Sequence, residues 1–275
     1  MPEALRPIDQ PPKQLHVISN NWEDLLMRPA VAIVGSRRPT GYGQRYTRQL
    51  AYELARAGVA IVSGLAYGVD SLAHQGALDA GGVTIAVLPA SVSQIYPSGH
   101  RRLSEAIIEQ GGALISEYDD DHGPPRTYDF VERNRLIAGL AQVVIVTEGT
   151  LKSGSRHTVD FANDQGKVIM AAPGEVFNPL AAGPNHHLQE GAYLVTSAQD
   201  VFDQLHIQGK PALMHGISDN PQEQLLINLL EQGITSGATL QSNSGLPTRI
   251  YQQTLTMLEI SGRIRQLGND HWALT

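Results

Sequence analysis

With 275 residues, the chain is long enough for one large and one small domain, and 41% hydrophobic with 17% charged residues is typical of a folded soluble protein. The absence of cysteine excludes a disulfide framework and thiolate metal sites, and the net charge of -7 means that any nucleic-acid binding must come from a local concentration of Lys and Arg. The first residues lack the apolar core of a signal peptide, and no apolar run approaches the roughly 20 residues of a membrane span. We therefore expect a cytoplasmic protein.

Short apolar runs rich in Val, Ile and Ala follow one another through the first two thirds of the chain, without strict alternation. Runs that are apolar on both faces are typical of parallel strands covered by helices on each side. Helical patterns lie between them, several ending at Gly. The sequence therefore predicts an α/β domain with a doubly wound parallel sheet over residues 31–205. The predicted strands are VAIV (31–34), VAIVSG (59–64), VTIAVL (83–88), ALIS (113–116), VVIV (143–146) and KVIMAA (167–172).

The last quarter of the chain has a different pattern. Residues 206–220 show no clear period and contain two glycines and a proline, which indicates a linker. Three helical patterns and two short strands then follow over residues 221–275. This order is the outline of a small winged-helix domain.

Basic residues cluster where the predicted strands end. In an open parallel sheet, ligands bind outside the carboxyl ends of the strands, because loops and helix N-termini converge there. On an acidic chain, such a cluster predicts an anion site. Its members are Arg37, Arg38, Arg101, Arg102, Arg126, Arg133, Arg135, Lys152 and Arg156.

Glycine, serine and aromatic residues accompany these basic side chains. Gly35-Ser36 and Ser153–Ser155 could bind a phosphate through backbone N–H groups at a helix N-terminus, or could simply make tight strand-to-helix turns. Unpaired bases stack on aromatic rings, so the aromatic residues favour single-stranded nucleic acid over duplex. These aromatic residues are Tyr42, Tyr67, Tyr96, Tyr128 and Phe130.

Cofactor and metal motifs do not fit the sequence. The dinucleotide fingerprint G-x-G-x-x-G is absent after the first predicted strand, and the P-loop pattern ending in Gly-Lys-Ser/Thr is missing. Residues 119–122, DDDH, are more typical of a solvated turn than of a metal site. We therefore predict no cofactor and no bound metal.

Several stretches together resemble a known family. They are VAIVGSRRPTGYG, IVSGLAYGVDSLAHQGAL, GVTIAVLPASVSQIYP, GGALISEY, FVERNRLIAGLAQVVIVTEGTLKSGSRHT and VIMAAPGEVFNPLAAGPNHHLQEGAYLV. In this order they resemble the DNA-processing protein A (DprA/Smf) family over about residues 2–205, and the shared motifs include SGLA-G-D, RNR-IAGL and KSGS. The resemblance implies an extended Rossmann-like fold, with residues 1–30 as an extended lead-in segment.

The resemblance also implies a function. It points to a non-enzymatic homodimer that binds single-stranded DNA, protects incoming DNA in natural transformation and loads the RecA recombinase, without a membrane partner. The DNA-binding residues that it implies, to which the pattern of basic strand ends adds Arg38, are Gly35, Ser36, Arg37, Phe130, Arg133, Asn134, Arg135, Lys152, Ser153 and Gly154.

Two alternatives remain. One is an enzyme similar to nucleoside-monophosphate phosphoribohydrolases, whose PGG-GT signature is echoed by EGTLKSG (148–154). The other is a regulator that senses a nucleotide and binds operator DNA through the winged helix. Residues 218–275 hold three arginines against five acidic residues, a net charge of -2, so we expect this domain to contact protein, or to bind DNA only weakly.

Overall fold

The computed structural model describes residues 1–207, 220–261, 263–268 and 270–274. The chain divides into two compact units, Met1–Pro211 and Ala212–Thr275. Most of the linker predicted at 206–220 falls outside the described residues. Among the helices that are described, none combines the length and the apolar character needed to cross a membrane.

The larger unit is built on one mostly parallel sheet. Its described strands are β1 (His16–Ser19), β2 (Ala30–Val34), β3 (Ala60–Ser63), β4 (Thr84–Val87), β5 (Ala113–Ser116), β6 (Val143–Val146), β7 (Val168–Ala171) and β8 (Tyr193–Leu194). Their order in the sheet is β1-β5-β4-β3-β2-β6-β7-β8, and β1 alone among these strands is antiparallel to its neighbour. All six predicted strands are confirmed, whereas β1 and β8 were not predicted.

Helices cover both faces of this sheet. They are α1 (Trp22–Leu26), α2 (Gly41–Arg56), α3 (Val69–Asp79), α4 (Arg101–Glu109), α5 (Thr127–Leu140), α6 (Ser155–Asp164), α7 (Ala182–Gln189) and α8 (Ala198–Leu205). Successive residues of β2 point to opposite faces: Val31 packs with Leu50 of α2 and Phe202 of α8, and Ala32 packs with Leu136 of α5. The predicted doubly wound α/β fold is therefore confirmed.

The lead-in segment contributes to the sheet and to the core. Strand β1 pairs with β5, with His16 opposite Ser116. Leu5 and Ile8 are buried in the same core layer as α5, and a Cβ at Gly139 of α5 would lie 2.7 Å from the Leu5 side chain. Residues 1–30 therefore add β1 to the sheet of the larger unit and Leu5 and Ile8 to its core.

The smaller unit has the predicted helix and strand order. Its described elements are α9 (Pro221–Glu231), α10 (Gly237–Ser244), α11 (Thr248–Ile260), β9 (Ile264–Gly268) and β10 (His271–Leu274), and β9 pairs antiparallel with β10. The Asn220 side chain accepts a hydrogen bond from Gln222 N at 3.0 Å and so caps α9, which has proline in its first turn. Leu226, Leu240 and Leu258 form its core. The unit is a winged helix.

Candidate functional site

The topology of the sheet selects one edge for ligand binding. From β2 the chain builds β3, β4 and β5 on one side, and it then returns to place β6 on the other side of β2. The strand order therefore reverses between β2 and β6. Loops diverge at such a point and leave a crevice outside the carboxyl ends of the strands.

A cleft of about 300 Å³ opens at this point. It lies between the residues that follow β2, the first half of α5 and the start of α6. Of the eleven predicted DNA-binding residues, the structure brings seven to its lining, namely Gly35, Arg37, Phe130, Arg133, Asn134, Ser153 and Gly154.

Arg37 and Phe130 form a charged and aromatic wall of the cleft. Arg37 is exposed, and its guanidinium carbon lies 5.5 Å from the centre of the Phe130 ring, within the range of a cation–π contact. The Phe130 ring in turn packs edge-on against Tyr96, with ring centres 5.3 Å apart. The exposed guanidinium is therefore held against a supported aromatic ring.

Arg133 forms the floor of the cleft. Only 5% of it is exposed, and its guanidinium donates hydrogen bonds to the carbonyl oxygens of Gly64, at 2.7 Å, and of Val87. Burial lowers the pKa of Arg133 to about 10, and the nearby Asp70 opposes this shift. A Cβ at Gly64 would lie 2.4 Å from the guanidinium, so the close approach requires glycine there. Arg133 thus provides a fixed, buried positive charge.

The start of α6 forms the opposite wall. Ser153 and Gly154 line the cleft immediately before the helix, Ser155 lines it as the first helical residue, and the Ser155 hydroxyl donates to the Ser153 hydroxyl at 3.0 Å. The Asn134 side chain reaches across from α5 and donates to the Gly154 carbonyl at 3.4 Å. A helix N-terminus presents N–H groups and a partial positive charge, which together favour an anion.

The corresponding turn after β2 is closed by a carboxylate of the chain itself. The Glu148 side chain accepts hydrogen bonds from Thr40 N at 2.7 Å and from the Thr40 hydroxyl at 2.6 Å, where α2 begins. The Glu148 carbonyl accepts from Ser36 N at 2.6 Å. A Cβ at Gly43 would lie 2.3 Å from the Glu148 carboxyl carbon. The Ser36 N–H, one of the predicted phosphate donors, is thus already used within the protein.

The remaining predicted residues lie elsewhere. Arg38 and Lys152 are exposed beside the cleft without lining it. Arg135 is 5% exposed; it donates to the Glu117 carboxylate at 2.6 Å and lies 3.5 Å from that of Glu132. The structure therefore places Arg135 away from the cleft, where two carboxylates neutralise its charge.

Other lining residues were absent from the predicted set. Ala66 comes from the loop after β3, Asp70 from the first turn of α3, and His157 from the first turn of α6. Burial raises the pKa of Asp70 and the charge of Arg133 lowers it, so the two groups are coupled beneath the cleft. The signal for His157 was its position three residues after Gly154, within the same glycine-serine turn.

Comparison with known proteins gives the family. The sequence model described as DNA recombination-mediator protein A matches residues 1–206, and the model of the DprA winged helix domain matches residues 210–270. The chain belongs to the DNA recombination-mediator protein A family. Protein Smf of Escherichia coli is 37% identical over 249 residues, covering 85% of this chain and 65% of that protein. A putative DNA processing protein DprA of Mycobacterium tuberculosis is 35% identical over 276 residues, covering 98% and 70%.

Two solved structures of the DNA recombination-mediator protein A family resemble this chain. DNA processing protein A of Streptococcus pneumoniae superposes with a TM-score of 0.69 and 40% identity, over 74% of this chain and 70% of that one. The protein of Helicobacter pylori, whose structure concerns its single-stranded DNA binding mode, superposes with a TM-score of 0.67 and 36% identity. The match covers 75% of this chain and 93% of that one. The chain spans about two thirds of the length of the two curated relatives, and its matches favour neither the phosphoribohydrolase nor the regulator.

Proposed function

We propose that this protein binds single-stranded DNA and acts in DNA processing without catalysing a reaction. The observation that carries the proposal is the cleft between β2 and β6, where Arg37 and Phe130 face the start of α6. Membership of the DNA recombination-mediator protein A family and the likeness to the Helicobacter pylori structure support it.

The cleft suits a strand whose bases are unpaired. A phosphate can bind between the Arg37 guanidinium and the N–H groups at the start of α6, and a base can then contact the Phe130 ring. In duplex DNA the bases are already stacked on each other, so the aromatic wall favours a single strand. Phosphate contacts carry no base information, so binding is expected to be largely independent of sequence.

Asp70, which lines the cleft, and Glu148, at the turn after β2, use their carboxylates for structure. The Asp70 side chain accepts from Gly64 N at 3.1 Å and is coupled to Arg133, and Glu148 accepts from Thr40. A general base must be within reach of the proton that it removes, and both groups are already bonded to the protein. We therefore propose a binding role rather than a hydrolytic one.

The wider role rests on the family. We propose that the protein protects incoming DNA during natural transformation in the cytoplasm, loads RecA recombinase onto it, and works as a homodimer. Two clefts in one particle would raise the effective concentration of binding sites along a strand. Light scattering at micromolar concentration, with and without DNA, should give twice the chain mass; a monomer under both conditions would contradict the dimer.

The DNA-binding proposal is tested by titrating single-stranded and duplex oligonucleotides at several salt concentrations. Arg37→Ala should weaken single-strand binding by about tenfold or more and reduce the slope of log K against log salt by about 0.7, as expected for one lost phosphate contact. Arg28→Ala is the matched control, because Arg28 is exposed at the other end of the same strand, β2. Equal binding by both variants and the wild type would contradict the proposal.

A further inference from the structure

A second depression lies on the other side of Arg37. Arg37 lines both the cleft and a groove of about 670 Å³, which also contains Arg38, Gln44, Tyr67 and Ser71. The neighbouring loop is shared in the same way, since Ala66 lines the cleft and Tyr67 lines the groove. The groove is therefore continuous with the cleft across a single arginine.

Tyr67 is exposed but supported. Its relative exposure is 52%, and its ring meets that of His100 at a steep angle with centres 4.6 Å apart. His100 is itself fixed by a 2.8 Å hydrogen bond between its Nδ1 and the Leu65 carbonyl. A Cβ at position 99 would lie 2.7 Å from the Tyr67 hydroxyl, and Gly99 leaves that space free. The ring is thus held in place and still accessible to solvent.

The loops that carry Tyr67 and Arg37 are locked together. Val69 N donates to the Ser36 carbonyl at 3.0 Å. A Cβ at Gly68 would lie 2.4 Å from the Ser36 carbonyl oxygen and 2.6 Å from the Arg37 carbonyl carbon. Gly68 also has φ of +80°, which disfavours other residues. The aromatic ring and the arginine therefore keep a fixed spacing.

Tyr67 differs from a second tyrosine at the same edge of the sheet in the charge of the residues around it. Tyr42 is also 52% exposed, but it lines a different cavity, of about 460 Å³, together with Glu148 and Glu175. A phosphate backbone would be repelled by these carboxylates and attracted by the arginines beside Tyr67. The two tyrosines are thus equal in exposure and opposite in electrostatic setting.

We infer that Tyr67 is a stacking platform for a nucleobase of the same DNA strand after the strand leaves the cleft past Arg37, with Arg38 binding a phosphate in the groove. This inference rests on the proposed DNA binding. The inference goes beyond the cleft residues, because the motif SGLA-G-D does not specify which residue stands at position 67. It also gives the path of the strand a direction, toward Tyr67 and away from Tyr42.

The test compares oligothymidines of about four nucleotides, which fill the cleft alone, with oligothymidines of about twelve, which reach the groove. Tyr67→Ala should weaken binding of the long strand by at least about fivefold and leave the short strand unchanged within about twofold. Tyr67→Phe keeps the ring and should bind as the wild type does. Tyr42→Ala is the matched control and should have no effect on either length. Thermal melting establishes that all variants are folded.

A second measurement isolates the base. Long strands with one abasic residue, placed at successive positions, should at one position lower wild-type affinity to that of Tyr67→Ala and leave the variant unaffected. A wild type that binds no single strand overturns the proposed function and this inference with it. A wild type that binds, with Tyr67→Ala equal to it on long strands, overturns the inference alone. An equal loss on short and long strands, or a loss in Tyr42→Ala, also overturns it.

Discussion

The turn from β2 to α2 and the turn from β6 to α6 look alike in sequence and differ in the structure. Each places glycine and serine between a buried strand and a helix. The first is closed by Glu148, whose carboxylate sits where an anion would bind at the start of α2. The second opens into the cleft. The contact that decides which turn can take a ligand joins residues 108 positions apart in the chain.

The closed turn still has a role in the site. Because Glu148 binds the Ser36 N–H through its carbonyl and Thr40 through its side chain, the intervening residues are tied at both ends. Arg37 lies between these ties. The turn after β2 is therefore rigid and presents the Arg37 guanidinium to the cleft that the turn after β6 also lines.

Removing the carboxylate should break the difference between the two turns. Glu148→Ala leaves Thr40 N and the Thr40 hydroxyl without their acceptor, and hydrogen bonds to charged groups contribute about 1.5–3 kcal/mol each. We expect the free energy of unfolding to fall by about 3 kcal/mol in urea denaturation. Glu175→Ala, at an exposed glutamate in the loop after β7, is the control. A variant as stable as the wild type would contradict the closed turn.

Acid should lower the stability of the fold through a buried histidine beneath the loop that follows β3. Burial lowers the pKa of His74 from 6.5 to about 3, and its Nε2 accepts from Leu65 N at 3.3 Å. Below pH 6.5 the unfolded chain gains a proton there and the folded chain does not, so stability falls by about 1.4 kcal/mol per pH unit until about pH 3. Between pH 6.5 and 5 the wild type should therefore lose about 2 kcal/mol more than His74→Gln. Identical pH slopes for the two proteins would disprove this role.

A carboxylate at the start of α6, like that of Glu148 at the start of α2, should remove the difference between the two turns. A side chain at Gly154 meets nothing within 4 Å, and this residue is the N-cap of α6. Gly154→Asp should keep or raise stability, because a carboxylate is favourable at a helix N-terminus, and should weaken single-strand binding by about tenfold, near 1.4 kcal/mol. Gly154→Asn keeps the shape without the charge and should retain binding. Equal affinity in both variants would rule out an anion at the start of α6.

The winged helix should contribute least. Helix α11 holds one basic and one acidic residue, Arg249 and Glu259, and Arg263 lies 3.6 Å from Glu223. Deleting residues 211–275 should therefore change single-strand affinity by less than tenfold, about 1.4 kcal/mol. The measurement is a titration of full-length and truncated protein against one oligonucleotide. A larger loss in a truncated protein that is still folded and has the same oligomeric state would show that this unit holds DNA.

Features of the fold and of the site that depend on residues close together in the sequence could be predicted, and those that depend on distant residues could not. The six predicted strands are runs that are apolar on both faces, and this property survives in any packing of an α/β sheet. Strand β1 was missed because HVIS has an exposed position and pairs with a strand almost a hundred residues later. The closure of the β2 turn by Glu148 was beyond reach for the same reason.

The motif RNR shows what a local rule could have added. Arg133 and Arg135 are two positions apart on α5, and two helical steps of about 100° turn their side chains toward opposite sides. Both therefore cannot face one cleft. Arg133 lies on its floor and Arg135 pairs with Glu117. The prediction treated the two arginines as equivalent, because it used the residue type and did not include the helical period.

The pairing of β2 with both β3 and β6 also sets an order of assembly on the ribosome. Val31 pairs with Ile61 in β3 and with Val143 in β6. As synthesis proceeds from the N-terminus, the half of the sheet from β2 to β5 is available before β6 and α6 exist. A nascent chain that ends before residue 143 contains Arg37 and Phe130 but lacks the wall that faces them. The cleft is thus completed only after more than half of the protein has been made.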